Sequence, residues 1–134
     1  MEELLKSLPE RLARLGERGH VGVWVPEGQG LRLLAARPPL SVETIPYGGV
    51  VGRAYREGRP VYVPDVRRDP DYIAPPDHKA LAELALPLRE RGEVVAVLNL
   101  ERDRPFPEEL QEGLKRFAQA VSLQLSRLAD EEER

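Results

Sequence analysis

The chain contains no cysteine, which excludes disulfides, thiolate metal sites, thiol redox chemistry and thioether-linked chromophores. Aromatic residues make up only 5%, too few to interleave with basic side chains as a nucleic-acid surface requires. Positive charge is not in surplus either. The formal net charge is −3 and the pI is about 5.5. The small arginine groups (Arg53, Arg56 and Arg59; Arg67 and Arg68; Arg102 and Arg104) alternate with acids, so no DNA or RNA partner is expected. No apolar run approaches the roughly 18 residues of a membrane helix. Met1-Glu2-Glu3-Leu4-Leu5-Lys6 lacks the basic-then-apolar order of a secretory signal. A cytoplasmic protein with no membrane partner is the expectation. Catalytic motifs are missing as well: there is no Ser/His/Asp order and no phosphate loop, and Gly48-Gly49 followed by Gly52 is not the dinucleotide fingerprint. No enzymatic activity is expected. Lysine occurs only at Lys6, Lys79 and Lys115, while arginine is abundant and prolines number 13. That usage fits a heat-adapted or GC-rich source.

What is present is the composition of a soluble globular chain, 41% hydrophobic and 32% charged over 134 residues, enough for one domain, 1–134, around one core. Leu4, Leu5, Leu8, Leu12 and Leu15 recur at helical spacing and predict a helix over 2–15, with Pro9 as its kink or restart. His20–Val25 and Leu31–Ala36 read as two strands of a hairpin joined through Pro26, Gly28 and Gly30. After a Pro-rich stretch, Val50, Val51, Ala54 and Tyr55 predict a short helix closed by Gly58. Val61-Tyr62-Val63 follows as a strand that its flanking prolines keep near an edge. Asp65, Asp69 and Asp71 lie in the next loop. Leu81–Arg89 and Glu93–Glu101 form a second hairpin around Glu90-Arg91-Gly92. Leu110, Leu114, Phe117, Val121, Leu125 and Leu128 then predict a long amphipathic helix over about 107–129. The fold class is therefore α+β, an antiparallel sheet with both terminal helices on one face.

The strand from Val94 changes character at its end. Val95, Val97, Asn99 and Glu101 share one face; Val94, Ala96, Leu98 and Leu100 share the other. The second set is wholly apolar and belongs under the helices. The first turns polar at an amide and a carboxylate, which marks the floor of a pocket, with Glu83 expected beside it on the neighbouring strand.

The run from Gly49 to Val66, with its Gly58-Arg59-Pro60 turn and Asp65, resembles the middle of a GAF domain. Asp69-Pro70-Asp71-Tyr72, Glu83-Leu84-Ala85-Leu86-Pro87-Leu88, the strand from Val94 to Glu101, and Pro105-Phe106-Pro107 resemble the later signatures of that family, in order. Ala82 and Ala96 depart from it, standing where many members have serine and glycine. The resemblance implies a sheet of five to six strands, terminal helices on one face and a loop-walled pocket on the other. It implies a sensory domain for a small polar ligand, a homodimer through its terminal helices, and an output protein reached in trans. Bilin attachment needs a cysteine. The cyclic-nucleotide signature of the family is only partly kept: Arg102-Asp103 and Leu110-Gln111 replace its other elements around Phe106. His20 and His78 are not at metal-ligand or haem-ligand spacing, and the three loop aspartates do not match a calcium loop. His78, between Asp77 and Lys79, reads as a solvated loop residue. No cofactor is specified.

The resemblance extends to the small free methionine-(R)-sulfoxide reductases, whose cysteines are missing here. Glu83 and Glu101 stand at positions of their acids, with Asn99 in place of another. Such acids hold an amino group, which implies a cation-preferring pocket without redox catalysis. The candidate ligand-binding set is Trp24, Tyr47, Tyr62, Asp65, Tyr72, Glu83, Asn99 and Glu101. Capping also accounts for Asp65. A ligand-free alternative is dimerisation alone: the stripe from Leu110 to Leu128, with Ala120 and Leu123 beside it, exceeds what one sheet face must cover.

Overall fold

Leu5, Leu8 and Leu12 fall on one face of a helix and are all buried, which organises α1 (Glu2–Arg14). The computed structural model describes residues 1–72 and 80–133; His78 lies outside the described residues. Acids in the first turn of α1 and arginines in the last complement its dipole. Pro9 does not interrupt it. Burying three leucines stabilises by about 5–9 kcal/mol, which exceeds the roughly 3 kcal/mol cost of an interior proline.

The sheet contains β1 (His20–Glu27), β2 (Gly30–Arg37), β3 (Thr44–Pro46), β4 (Val61–Val63), β5 (Ala82–Glu90) and β6 (Glu93–Arg102). Their order is β3-β2-β1-β6-β5-β4, antiparallel throughout. β6, one of the two central strands, is the one whose face turns polar. Between β3 and β4 lies α2 (Gly49–Glu57), ended by Gly58 in the left-handed region. The chain closes with α3 (Glu108–Glu132). The three-residue β3 is not foreseen from the Pro-rich stretch that holds it. It pairs with Gly30–Arg32 at an edge, where Pro46 is tolerated.

The two faces carry separate cores. Under α1 and α3 lie Leu84, Leu86, Leu88, Leu98 and Leu100, with Ala82 and Ala96 keeping the sheet low beneath the helices. On the other face α2 packs Val50, Val51 and Ala54 against Trp24, Ala85 and Val97. The expected alternation along β6 holds from Ala96 onward and fails before it. Leu88 pairs with Ala96 but Arg89 with Val94, so Val95 is the extra residue of a bulge. The bulge reverses parity: Val95 packs with the core under the terminal helices, and Val94 comes up against Gly58 at the end of α2.

Candidate functional site

In antiparallel pairing, directly opposite residues project from the same face. Glu101 is opposite Glu83 on β5 and opposite His20 on β1; Asn99 is opposite Ala85 and Gly22; Val97 is opposite Pro87 and Trp24. Three adjacent strands thus bring two carboxyls, an imidazole, an amide and an indole onto one patch of the α2 face. Gly22 keeps the middle row low, since a Cβ there would approach Trp24 Nε1 to 3.3 Å.

A small pocket of about 50 Å3 opens over this patch. Glu83, Asn99 and Glu101 form its polar side; Trp24, Leu40, Val42 and Ile45 its apolar side; Gly49, Val50 and Val51 bring in the first turn of α2. Glu83 and Asn99 are each 4% exposed and Glu101 5%, unusual burial for such groups.

Burial, then the facing charge of Glu101, pushes the Glu83 carboxyl well above the usual carboxylate range, against the hydrogen bond it receives from Asn99. Glu83 therefore holds its proton to higher pH than an ordinary carboxyl does. Donation to Glu83 occupies the Asn99 amide nitrogen, while its Oδ1 is buried without a hydrogen-bond partner. The Tyr72 hydroxyl donates to Glu101 Oε1 at 3.4 Å. Burial and the two glutamates raise its pKa. Behind the floor, Arg53 on α2 bridges Asp69 at 2.7 Å and Asp71 at 3.3 Å. Burial alone would raise Asp69, but the Arg53 hydrogen bond holds it below its ordinary value.

Of the eight residues expected from sequence, Trp24, Glu83, Asn99 and Glu101 line the pocket, and Tyr72 reaches it through Glu101. Three lie elsewhere. Tyr62 is opposite Leu84, which places it on the helix face of the sheet. There its hydroxyl accepts from Phe106 N–H at 3.0 Å, and its ring meets that of Phe106 edge-on. Tyr47 stacks on Tyr55 and donates to the Gly28 carbonyl. Asp65 caps the short 3-10 turn at Val66–Arg68, and its hydrogen bond with Arg67 draws it down to about 2. Sequence reasoning missed Leu40, Val42 and Ile45, apolar residues of the Pro-rich stretch without a regular spacing, and the polarity of the α2 N-terminus. Among the described residues no group of His, Cys, Asp or Glu is placed to hold a metal, and no helix is long and apolar enough to cross a membrane.

A family model described as GAF domain matches residues 1–126. No curated protein shows a significant match. Among solved structures, free methionine-R-sulfoxide reductase from Neisseria meningitidis, in complex with its substrate, is similar with a TM-score of 0.81 and 27% identity, over 93% of this chain and 78% of that one. The reduced form of fRMsr from Staphylococcus aureus gives 0.81 and 25%, over 90% and 80%. The GAF domain of a phosphoenolpyruvate-protein phosphotransferase from Coxiella burnetii gives 0.82 at 17%, over 99% and 86%, a likeness of fold.

Proposed function

Because the chain belongs to the GAF domain family, we propose that it is a regulatory small-molecule-binding domain. Its cation-preferring pocket takes the hydrogen-bond-donating head group of a small polar ligand and performs no reaction on it. The observation that carries this reading is the polar floor: opposed, buried Glu83 and Glu101 beside an Asn99 acceptor with no donor. A buried acceptor without a partner costs about 1–3 kcal/mol, a cost that a ligand N–H removes. The charge around the floor has the matching sign. Asp69 adds to the acids, and Arg53 is already engaged by Asp69 and Asp71. Reduction of a sulfoxide by thiolate attack requires a sulfur nucleophile, and this chain has no cysteine. The reductase-like shape is thus read as a binding shape. Native mass spectrometry of protein purified from its own host tests the proposal. The expected result is a retained small molecule that is lost from the Glu101→Ala variant; an empty parent protein counts against it.

A second reading, homodimerisation through the terminal helices, is favoured by exposed apolar side chains on that layer: Leu15 is 73% exposed and Leu123 53%. A groove between α1 and α3 is walled by Leu12, Leu110, Leu114 and Phe117. The two readings are compatible, since the pocket and the helices occupy opposite faces of the sheet.

A further inference from the structure

The helix side of the molecule carries a larger opening than the pocket. A groove of about 320 Å3 runs between the end of α1 and the first half of α3, walled by Leu12, Leu15, Leu110, Leu114 and Phe117. Leu15, on its wall, is 73% exposed. Gly113 also lines the groove and keeps it open. It lies inside α3, where glycine is a poorer helix former than any residue but proline, and a Cβ there would meet nothing within 4 Å. Packing within the chain does not require the missing side chain. An occupant of the groove does.

One end of the groove is charged. Arg102 lines it, with its guanidinium 5.0 Å over the Phe106 ring and its side chain 15% exposed. Its Nε is buried without a hydrogen-bond partner. Glu17, the acid beside it, stands 3.9 Å from Nε, too far to accept a hydrogen bond. That carboxylate takes the Gly19 N–H at 3.0 Å instead. A guanidinium fixed on a ring, with a donor unspent, calls for an acceptor that the chain does not supply.

We propose that this groove is a second binding site, for an unbranched fatty acid. Its carboxylate accepts from the Arg102 guanidinium, and its alkyl chain lies along the leucines and Phe117. Both ends select this class. An apolar molecule without an anion would leave Arg102 without an acceptor; a small anion without a tail would leave the leucines in water. Leu123, the exposed leucine of α3, lies about 15 Å further along the helix than Gly113, so a second copy seated there does not need the groove. The groove and the polar pocket share no wall.

Gly113→Leu is the direct test, because its side chain fills the groove while leucine is the better helix former. The variant is expected to melt at or above the parent temperature. Calorimetric titration of the full chain, below the micelle concentration of each compound, would use octanoate, decanoate and dodecanoate, with decanol and decylamine as head-group controls. The parent is expected to bind one decanoate per chain, roughly tenfold or more tightly than decanol or decylamine. Each two-carbon extension should tighten binding roughly fivefold or more. Gly113→Leu should weaken decanoate roughly tenfold or more, and Arg102→Gln should bring it down to the level of decanol. Equal binding of decanoate and decanol by the parent, a comparison that needs no variant, overturns the fatty-acid assignment. Undiminished binding by a folded Gly113→Leu places the acid elsewhere and overturns the site. A parent that binds none of these compounds overturns the proposal, and a dimer mass lost in Gly113→Leu would then assign the groove to a second copy. Each of these outcomes leaves the polar pocket reading standing.

Discussion

A carboxyl group buried opposite a second carboxyl binds its proton more tightly folded than unfolded, and Glu83 is in that position. Linkage gives the sign. Below the unfolded value, about 4.3, both states hold the proton and Glu83 imposes no charge penalty. As pH rises, the unfolded chain releases the proton first, so stability falls until the raised folded value is passed. Asp69 has the opposite sign: its lowered value favours the fold above the ordinary aspartate range and is lost on acidification. Urea midpoints of the parent should therefore decline as pH rises above about 4.3, with a smaller decline in Glu83→Gln, which keeps the shape and removes the titrating proton. An unchanged slope would show that Glu83 does not titrate in this window. Placing Glu83, Asn99, Glu101 and Trp24 at one pocket was possible from sequence because strand parity has a period of two and these strands carry clear apolar faces. Tyr62 was misplaced because β4 has only three residues, too few for a pattern to show which face is buried. Asp65 was ambiguous because capping and ligand binding use the same carboxylate.

At the scale of elements, close approach accounts for what composition hides. The start of α2 passes so near the preceding chain that a Cβ at Gly52 would lie 1.7 Å from the Tyr47 carbonyl oxygen. This glycine reads from sequence as one more helix position. In the fold it lets α2 seat its first turn at the pocket. Gly52→Ala would ordinarily stabilise a helix by about 1 kcal/mol; here the backbone must move, and a net loss of about 2 kcal/mol or more is expected. Thermal melts would register it, and a neutral or raised melting temperature would show that the approach is not tight in solution. The Val95 bulge is another feature that alternation could not reveal, since Val94 and Val95 are both apolar and either parity looks acceptable. The second hairpin turn was legible in place but not in geometry. Arg91 adopts φ 52 beside Gly92 at φ 86, a pair matching the primed turns that join twisted strands. Arg91 is held by its N–H donation to Ser126 Oγ on α3 and by its ion pairs with Asp130 and Glu133.

For the whole molecule, the order of motifs specified more than any one of them. A chain with antiparallel hairpins between terminal helices must bury one sheet face under those helices, and the other is then free for α2 and a pocket. The sequence does not show how the outer surface of the helices is used, because exposed leucines occur on monomers too. On α3, Leu123 is 53% exposed, and Ala120 beside it is exposed as well; such small and apolar neighbours let a second helix approach closely. If that surface pairs two copies, sedimentation equilibrium should show the parent mass rising toward a dimer with concentration. The Leu123→Lys variant should stay at the monomer mass. Because Leu123 contributes little to the core of one chain, the substitution should change monomer stability by no more than about 0.5 kcal/mol. Ligand affinity should also be unchanged, as the pocket lies across the sheet. A parent that remains monomeric at the highest concentrations would leave the helices as a cover for the core alone. A Leu123→Lys variant that still dimerises would move the interface away from this part of α3.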